Sequence, residues 1–382
     1  MANKIKNKKK IFLNRDILSI IYPFYCIRSF LCVQKYSIND NCVEKVSCKH
    51  VFYSFIGFIT MTILLITTYL YTNFIMRHAL VVYYIAYTEQ LIYYFVVSIM
   101  NWYYSATSLK LLFLLYKINC SIYSSQDIKK FKNIAQTLVY MLILISSLLL
   151  VTKIVVDVHW TLMRALFVSV ILLLDSEVIE TSLITYILTC KVKKWNDDIL
   201  KLKLDDDTND SDDVTIDIDS VLDDKTHLLV AILEAWDLTV RISGLQVNIV
   251  VFYFITAFFK ILMYVVVVTF WAKAYISGAN MVLSQSVGLV LMIPKMLFEE
   301  IFLFVTCESF YIEVEKADRI ITRKLTHDTK AKRKWKNMKR VINTYFQKMS
   351  AFKVFVIDAT FILDYFETIT TYTVVILQLI LL

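Results

Sequence analysis

Residues 366–382 read FETITTYTVVILQLILL, and this stretch decides the fold class. No charged residue follows Glu367 within it. A helix of about 17 to 25 mostly apolar residues can cross a hydrocarbon layer about 30 Å thick. The stretch therefore predicts a membrane-spanning helix.

One face of this predicted helix is polar. Thr371, Val375 and Gln378 share that face because their spacings along the sequence are four and three residues. The same stripe continues backward through Thr368, Glu367 and Asp364. A membrane helix normally turns such a stripe away from lipid, towards protein or water.

The order of residues in the stretch also carries a family resemblance. Thr371-Tyr372, five mostly apolar residues and then Gln378-Leu379 resemble the Thr-Tyr-(five hydrophobics)-Gln-Phe signature that closes insect gustatory receptors. The match departs once, because Leu379 stands where the family has Phe. The hydrophobic layout of the whole chain resembles the same family.

This resemblance implies a ligand-gated, non-selective cation channel in the plasma membrane of a sensory neuron. Its pore would lie on the last helix of four subunits, in a homo- or hetero-tetramer with related receptors. The ligands would be small organic tastants. The family's sugar-receptor branch carries Glu directly after the Thr-Tyr pair, whereas this chain has Thr373, which favours bitter compounds or plant metabolites.

The stripe suggests how such a pore would work. In four copies around an axis, Val375 would form an apolar ring that gates by dewetting, and Gln378 a neutral polar ring. Asp364 and Glu367 would attract cations on the approach, although Asp364 could instead pair with the basic segment before it. The predicted pore and gate residues are Thr371, Val375, Gln378, Leu379, Asp364 and Glu367.

Composition agrees with an all-α, polytopic membrane protein. The chain is 58% hydrophobic, contains only four Gly and two Pro, and has a mean hydropathy of +0.59. A soluble domain would carry more turn residues and fewer long apolar runs. We predict seven transmembrane helices, at about 51–76, 79–105, 134–152, 165–190, 247–271, 281–304 and 366–382. Residues 17–33 are interrupted by Pro23 and Arg28, and are predicted as an interfacial helix or a pre-helix packed under the first span, with an eighth span as the alternative.

Lys and Arg placement predicts the orientation. Basic residues are concentrated before the first span, between the second and third spans, and within 316–348. Positively charged flanks face the cytoplasm, which predicts a cytoplasmic N-terminus and an extracellular C-terminus. This topology is the inverse of that of a G-protein-coupled receptor.

These observations divide the chain into six predicted regions. They are a cytoplasmic N-terminal region with an interfacial helix (1–50), spans one to four (51–190), an acidic disordered cytoplasmic loop (191–226), spans five and six with a cytoplasmic extension (227–306), cytoplasmic anchor helices (307–365) and the pore helix (366–382). Apolar residues at helical spacing in 228–242 and 312–346 predict a helical bundle beyond the membrane. The resemblance implies that this bundle holds four subunits together, and its basic face could also bind anionic lipid.

Two sets of residues within the predicted spans could serve function. Asp175, Glu177 and Glu180 are expected to pair with Lys295 or another inward base, and a proton relay is the alternative. Aromatic walls with a few polar groups suit a small organic ligand, although an interfacial aromatic belt has the same composition. The predicted ligand-binding residues are Tyr84, Tyr87, Glu89, Trp160, Tyr264, Trp271 and Gln285.

Other functional classes find little support in the sequence. It contains no catalytic motif, and the spacing of its cysteines does not fit a structural zinc site, so neither enzyme activity nor a cofactor or metal is expected. The expected partners are the tastant, cations, the lipid bilayer and related subunits, with no nucleic acid. The alternatives are a secondary transporter and a G-protein-linked seven-helix receptor.

Overall fold

The computed structural model describes residues 11–12, 15–39, 42–72, 77–122, 125–156, 161–202, 218–276, 283–328, 331–351 and 355–381. These residues are mostly helical, which confirms the predicted all-α class. The helices are α1 (Arg15–Phe30), α2 (Cys48–Thr72), α3 (Arg77–Tyr103), α4 (Ser105–Ile122), α5 (Ser125–Val156), α6 (Thr161–Lys201), α7 (Ile218–Ile276), α8 (Leu283–His327), α9 (Lys332–Tyr345) and α10 (Ala359–Leu381).

Three of the described helices are far longer than a membrane crossing requires. Helices α6, α7 and α8 have 41, 59 and 45 residues. At about 1.5 Å per residue, α7 is roughly 90 Å long, about three times the thickness of a hydrocarbon layer. Each of these helices therefore extends well beyond the span predicted within it.

Two helical segments in the described part of the chain are long and apolar enough to cross a membrane. They are Lys129–Leu148 in α5 and Ala359–Leu379 in α10, which overlap the third and seventh predicted spans. The other five predicted spans overlap α2, α3, α6, α7 and α8. Parts of those helices lie outside the described side chains, so the number of spans and their orientation stay predictions.

The largest core lies in a helical bundle formed by α4, the C-terminal part of α6, the N-terminal part of α7, the C-terminal part of α8, and α9. Trp195 and Trp236 are fully buried there, and their indole N–H groups donate to the carbonyls of Lys225 and Gln347, both at 2.9 Å. Phe310 packs on Trp236 with ring centroids 4.3 Å apart. These contacts show that the helices pack around a common core, whereas the position of this bundle beyond the membrane stays a prediction.

The bundle contains a buried cysteine, Cys307, whose thiol is protected from solvent. Cys307 is fully buried beside Tyr311, and burial raises the pKa of its thiol to about 12. A thiol with such a high pKa contributes very little thiolate at neutral pH. Cys307 therefore acts as a packing residue.

The bundle corrects two predicted boundaries. A polar connection is predicted from the end of the second span to Lys132, but α4 occupies Ser105–Ile122 and buries Leu111, Leu112 and Leu115 in the core. The acidic loop at 191–226 is also shorter than predicted, because α6 continues to Lys201 and α7 begins at Ile218. Its central acidic part, 203–217, lies outside the described residues.

Short strands accompany the helices. Strands β1 (Ile11–Phe12), β2 (Tyr36–Asn39) and β3 (Cys42–Lys45) form an antiparallel sheet in the order β1-β3-β2. Strands β4 (Ser350–Ala351) and β5 (Phe355–Val356) pair just before α10. Helix α1 packs chiefly against α5 and α6, and not beneath the first predicted span.

Gly57 allows α2 and α3 to approach each other. A Cβ atom on Gly57 would lie 2.7 Å from the hydroxyl oxygen of Tyr94, which donates to the carbonyl of Leu31 at 2.9 Å. We expect Gly57→Ala to displace this hydroxyl and to destabilise the protein by about 1–3 kcal/mol, the cost of leaving a buried acceptor unpaired. The decrease in stability is measured by heating the detergent-solubilised protein and determining the remaining folded fraction by size-exclusion chromatography.

The Tyr94→Phe background provides the control for Gly57→Ala. Without the hydroxyl, the added methyl group makes only an ordinary contact with the ring Cζ at 3.7 Å, and the hydrogen bond is already lost. The Gly57→Ala substitution should then cost much less than in the wild-type background. An equal cost in both backgrounds would show that the contact with Tyr94 does not matter.

Candidate functional site

One face of α10 packs on the rest of the chain. Its half-buried residues recur three or four positions apart, at Phe361, Ile362, Tyr365, Phe366, Ile369, Thr373, Ile376 and Leu377. Near its start, Phe361 stacks on Phe304 of α8, with ring centroids 5.3 Å apart. Further along, Tyr372 meets Phe258 of α7 edge to face at 5.6 Å. These contacts fix the rotation of α10 about its own axis.

The predicted pore residues all lie on exposed positions of α10. Thr371, Val375 and Gln378 are exposed, as are both acidic residues of the stripe, and Leu379 is 74% exposed. The stripe of Asp364, Glu367, Thr368, Thr371, Val375 and Gln378, called the outward stripe below, therefore faces away from the helices of its own chain. In one copy of the chain nothing described covers it.

The carboxylates of the outward stripe have no cationic partner among the described residues. Neither Asp364 nor Glu367 forms an ion pair with the described part of the preceding basic segment. The alternative prediction, that Asp364 forms a salt bridge with that segment, is therefore not supported within the described residues. Both carboxylates remain available to attract cations at the outer surface of the helix.

A second group of polar side chains is buried inside the helices. Glu177 and Glu180 of α6 face Arg28 of α1 and Lys35 of the loop that follows it. Arg28 Nε lies 2.8 Å from Glu177 Oε1, and Lys35 Nζ lies 2.9 Å from Glu180 Oε2. Asn101 of α3 donates to Glu177 Oε1 at 3.2 Å. Two cations thus neutralise two carboxylates in a site where Arg28 is only 1% exposed.

Asp175 belongs to a separate buried group, shared between α6 and α8. Lys295 Nζ pairs with Asp175 Oδ2 and lies 3.3 Å from Glu299 Oε1. All three residues are at most 5% exposed. The predicted pairing of the α6 acids with Lys295 or another inward base is confirmed for Asp175, Glu177 and Glu180. The observed ion pairs favour this role over the alternative proton relay.

Sequence reasoning missed the basic partners of Glu177 and Glu180. Arg28 was noted only because it interrupts an apolar stretch, and Lys35 was not noted at all. A charged residue inside a predicted membrane-facing helix is itself a signal, because it needs a buried partner. Glu177 and Glu180, two acids three residues apart in α6, were the complementary signal, because each buried carboxylate also needs a partner.

The predicted ligand-binding residues stay untested. Trp160 lies outside the described residues. Tyr84, Tyr87 and Glu89 lie in α3, Tyr264 and Trp271 in α7, and Gln285 in α8, but their side chains are not among those described.

Among the described residues, no group of three or more His, Cys, Asp or Glu side chains could hold a metal ion.

No protein-family model matches the sequence, and no curated protein matches it.

Proposed function

We propose that the chain is a subunit of a ligand-gated, non-selective cation channel for small organic tastants. The observation that carries this proposal is the outward stripe of α10. A helix apolar enough to cross a membrane presents two carboxylates and a row of polar side chains on the face that its own chain leaves open. Such a stripe is costly against lipid, so it requires either a protein partner or water.

Four copies of the chain around an axis would meet this requirement. Each copy would turn its outward stripe to the axis, so that water and ions cover the carboxylates and lipid does not. Val375 would then form the apolar constriction, and Gln378 a polar ring that replaces part of an ion's hydration. Asp364 and Glu367 would concentrate cations at one end of this path.

The long helices support the same assembly. Helices α7 and α8 extend beyond their predicted spans into a bundle whose core is formed by Trp195, Trp236 and Phe310. This bundle would hold the subunits together, and it is continuous with the helices on which α10 packs. Motion of the bundle could therefore reach the pore through the contact between Phe304 and Phe361.

The resemblance of residues 371–379 to the closing signature of insect gustatory receptors supports the choice of ligand class. It favours bitter compounds or plant metabolites as ligands, and a homo- or hetero-tetramer in the plasma membrane of a sensory neuron. The ligand would bind in the outer halves of the seven spans, where Tyr84, Tyr87, Glu89, Trp160, Tyr264, Trp271 and Gln285 are predicted to gather.

An epitope tag placed after Leu382 tests the topology that the proposal requires. We expect antibody to label the tag on intact cells, because an odd number of spans carries the chain from a cytoplasmic N-terminus to an extracellular C-terminus. A tag before Met1 is the matched control and should be labelled only after permeabilisation. If the C-terminal tag also needs permeabilisation, the seven-span topology is wrong and the pore model fails with it.

A further inference from the structure

An apolar groove runs between the first two predicted spans. Val51, Ser54, Phe55 and Phe58 of α2 form one wall, and Phe95, Ser98, Ile99 and Trp102 of α3 form the other. Phe58 and Phe95 meet across it with ring centroids 4.8 Å apart. The enclosed space of the groove is about 90 Å³ and the rest of the groove is open to the surroundings, so a bound molecule would lie partly outside it.

Gln34 lies at one end of this groove and has an unused acceptor. Its Nε2 donates to Ser29 Oγ at 2.8 Å, whereas its Oε1 is buried and accepts no hydrogen bond from the described residues. Only 9% of the residue is exposed. A buried carbonyl oxygen without a donor is rare in native proteins, and it indicates a missing partner.

The two serines that line the groove already have partners. Ser54 Oγ lies close to the carbonyls of Cys32 and His50 and can donate its one proton to either, and Ser98 Oγ donates to the carbonyl of Tyr94 at 2.7 Å. No charged residue is among those that line the groove. A ligand that fits must therefore be uncharged, largely apolar, and able to donate one hydrogen bond at the end near Gln34.

The position of the groove indicates where that ligand comes from. Under the proposed topology, Gln34 and the start of α2 lie at the cytoplasmic surface of the bilayer, and the groove runs from there into the hydrocarbon. Phe55 and Trp102 at its mouth are about half exposed, on the side that would face lipid. Trp at such a depth is typical of the membrane interface.

We propose that this groove binds a sterol of the cytoplasmic leaflet, with the sterol hydroxyl donating to Gln34 Oε1 and the flat rings lying among Phe55, Phe58, Phe95 and Trp102. A phospholipid would bring a phosphate, for which the lining offers no basic side chain. A fused-ring alcohol is uncharged, rigid and anchored at the interface by one hydroxyl group. The inference rests on the proposed membrane topology, and it assigns a lipid site separate from the predicted tastant residues.

Photolabelling of the full chain in phosphatidylcholine vesicles tests this site. The probes are a photoreactive cholesterol with a free hydroxyl and its methyl ether, which keeps the oxygen but cannot donate. We expect the hydroxyl probe to label peptides from α2 or α3, and the ether to label them about fivefold less, the order of ratio expected for one hydrogen bond. Gln34→Met should reduce labelling by the hydroxyl probe to the level of the ether.

Gln347→Met is the matched control, because Gln347 is exposed and lies outside the groove. It should leave labelling by both probes unchanged. Equal labelling of the wild-type chain by the two probes would overturn the proposal, as would full labelling of Gln34→Met by the hydroxyl probe. Flotation with the vesicles distinguishes a failure of the membrane topology from a failure of the sterol site. A chain that does not float contradicts the membrane topology itself, whereas one that floats without labelling in α2 or α3 contradicts only the sterol site.

Discussion

Arg28→Met is expected to destabilise the protein by about 3–5 kcal/mol, the usual cost of removing one partner from a buried ion pair. Arg28 contacts both Glu177 and Glu180, and all three residues are at most 5% exposed. Without the guanidinium, only Lys35 would remain to neutralise two buried carboxylates. Since native proteins are stable by only about 5–15 kcal/mol, we expect little Arg28→Met protein to reach the cell surface.

A second substitution distinguishes the contribution of the Arg28 charge from the contribution of its side-chain packing. In Arg28→Met/Glu180→Gln, one cation again faces one carboxylate, and the long apolar stem of Arg28 is replaced by a side chain of similar length. We expect the double variant to recover a large part of the melting temperature and of the surface level. If it is no more stable than Arg28→Met alone, Arg28 acts by shape and not by charge.

Lys110→Met is the control, because it removes an ion pair that is exposed and not buried. Lys110 pairs with Glu234 at 2.6 Å, but its side chain is 57% exposed. Exposed pairs are typically worth about 0–1 kcal/mol because water already solvates both charges. Thermal melting of the detergent-solubilised variants, with surface biotinylation of cells, should therefore place Lys110→Met close to the wild type.

The helical part of the fold could be predicted because its signals are local. Apolar residues at helical spacing identified the buried face of α9, where Trp335, Met338 and Ile342 face the core. The same spacing predicted the stripe of α10, and the structure shows that its other face packs on α7 and α8. In both helices, the periodicity of the sequence alone distinguishes the packed face from the exposed one.

The errors concern features that depend on distant parts of the chain. The C-terminal part of α6 was assigned to a disordered loop because of its charges, yet Trp195 and Ile199 are buried by α7 and α8. The short strands β2 and β3 depend on pairing across a turn, and their sequences are too short to show a period of two. Arg28 and Glu180 are 152 residues apart, so no local pattern could join them.

The most direct test of the central claim is the basal current of Val375→Thr in a voltage-clamped cell. The proposal places Val375 in an apolar ring that excludes water from the closed pore. Threonine has nearly the same shape but adds a hydroxyl group, so it makes the ring easier to wet without changing its width. Every subunit carries the change, so the four substitutions act together on the free-energy difference between the closed and the open pore. A combined decrease of about 1.4 kcal/mol in that difference would raise the open fraction tenfold.

Val151→Thr is the matched control for this measurement. Val151 is 54% exposed on α5 and Val375 is 45% exposed on α10, so the same chemical change is made at a similar exposure outside the outward stripe. We expect Val375→Thr to increase the ligand-independent cation current about tenfold at equal surface expression, and Val151→Thr to leave it at the wild-type level. A basal current of Val375→Thr equal to that of the wild type, with normal surface expression, would contradict a pore lined by α10.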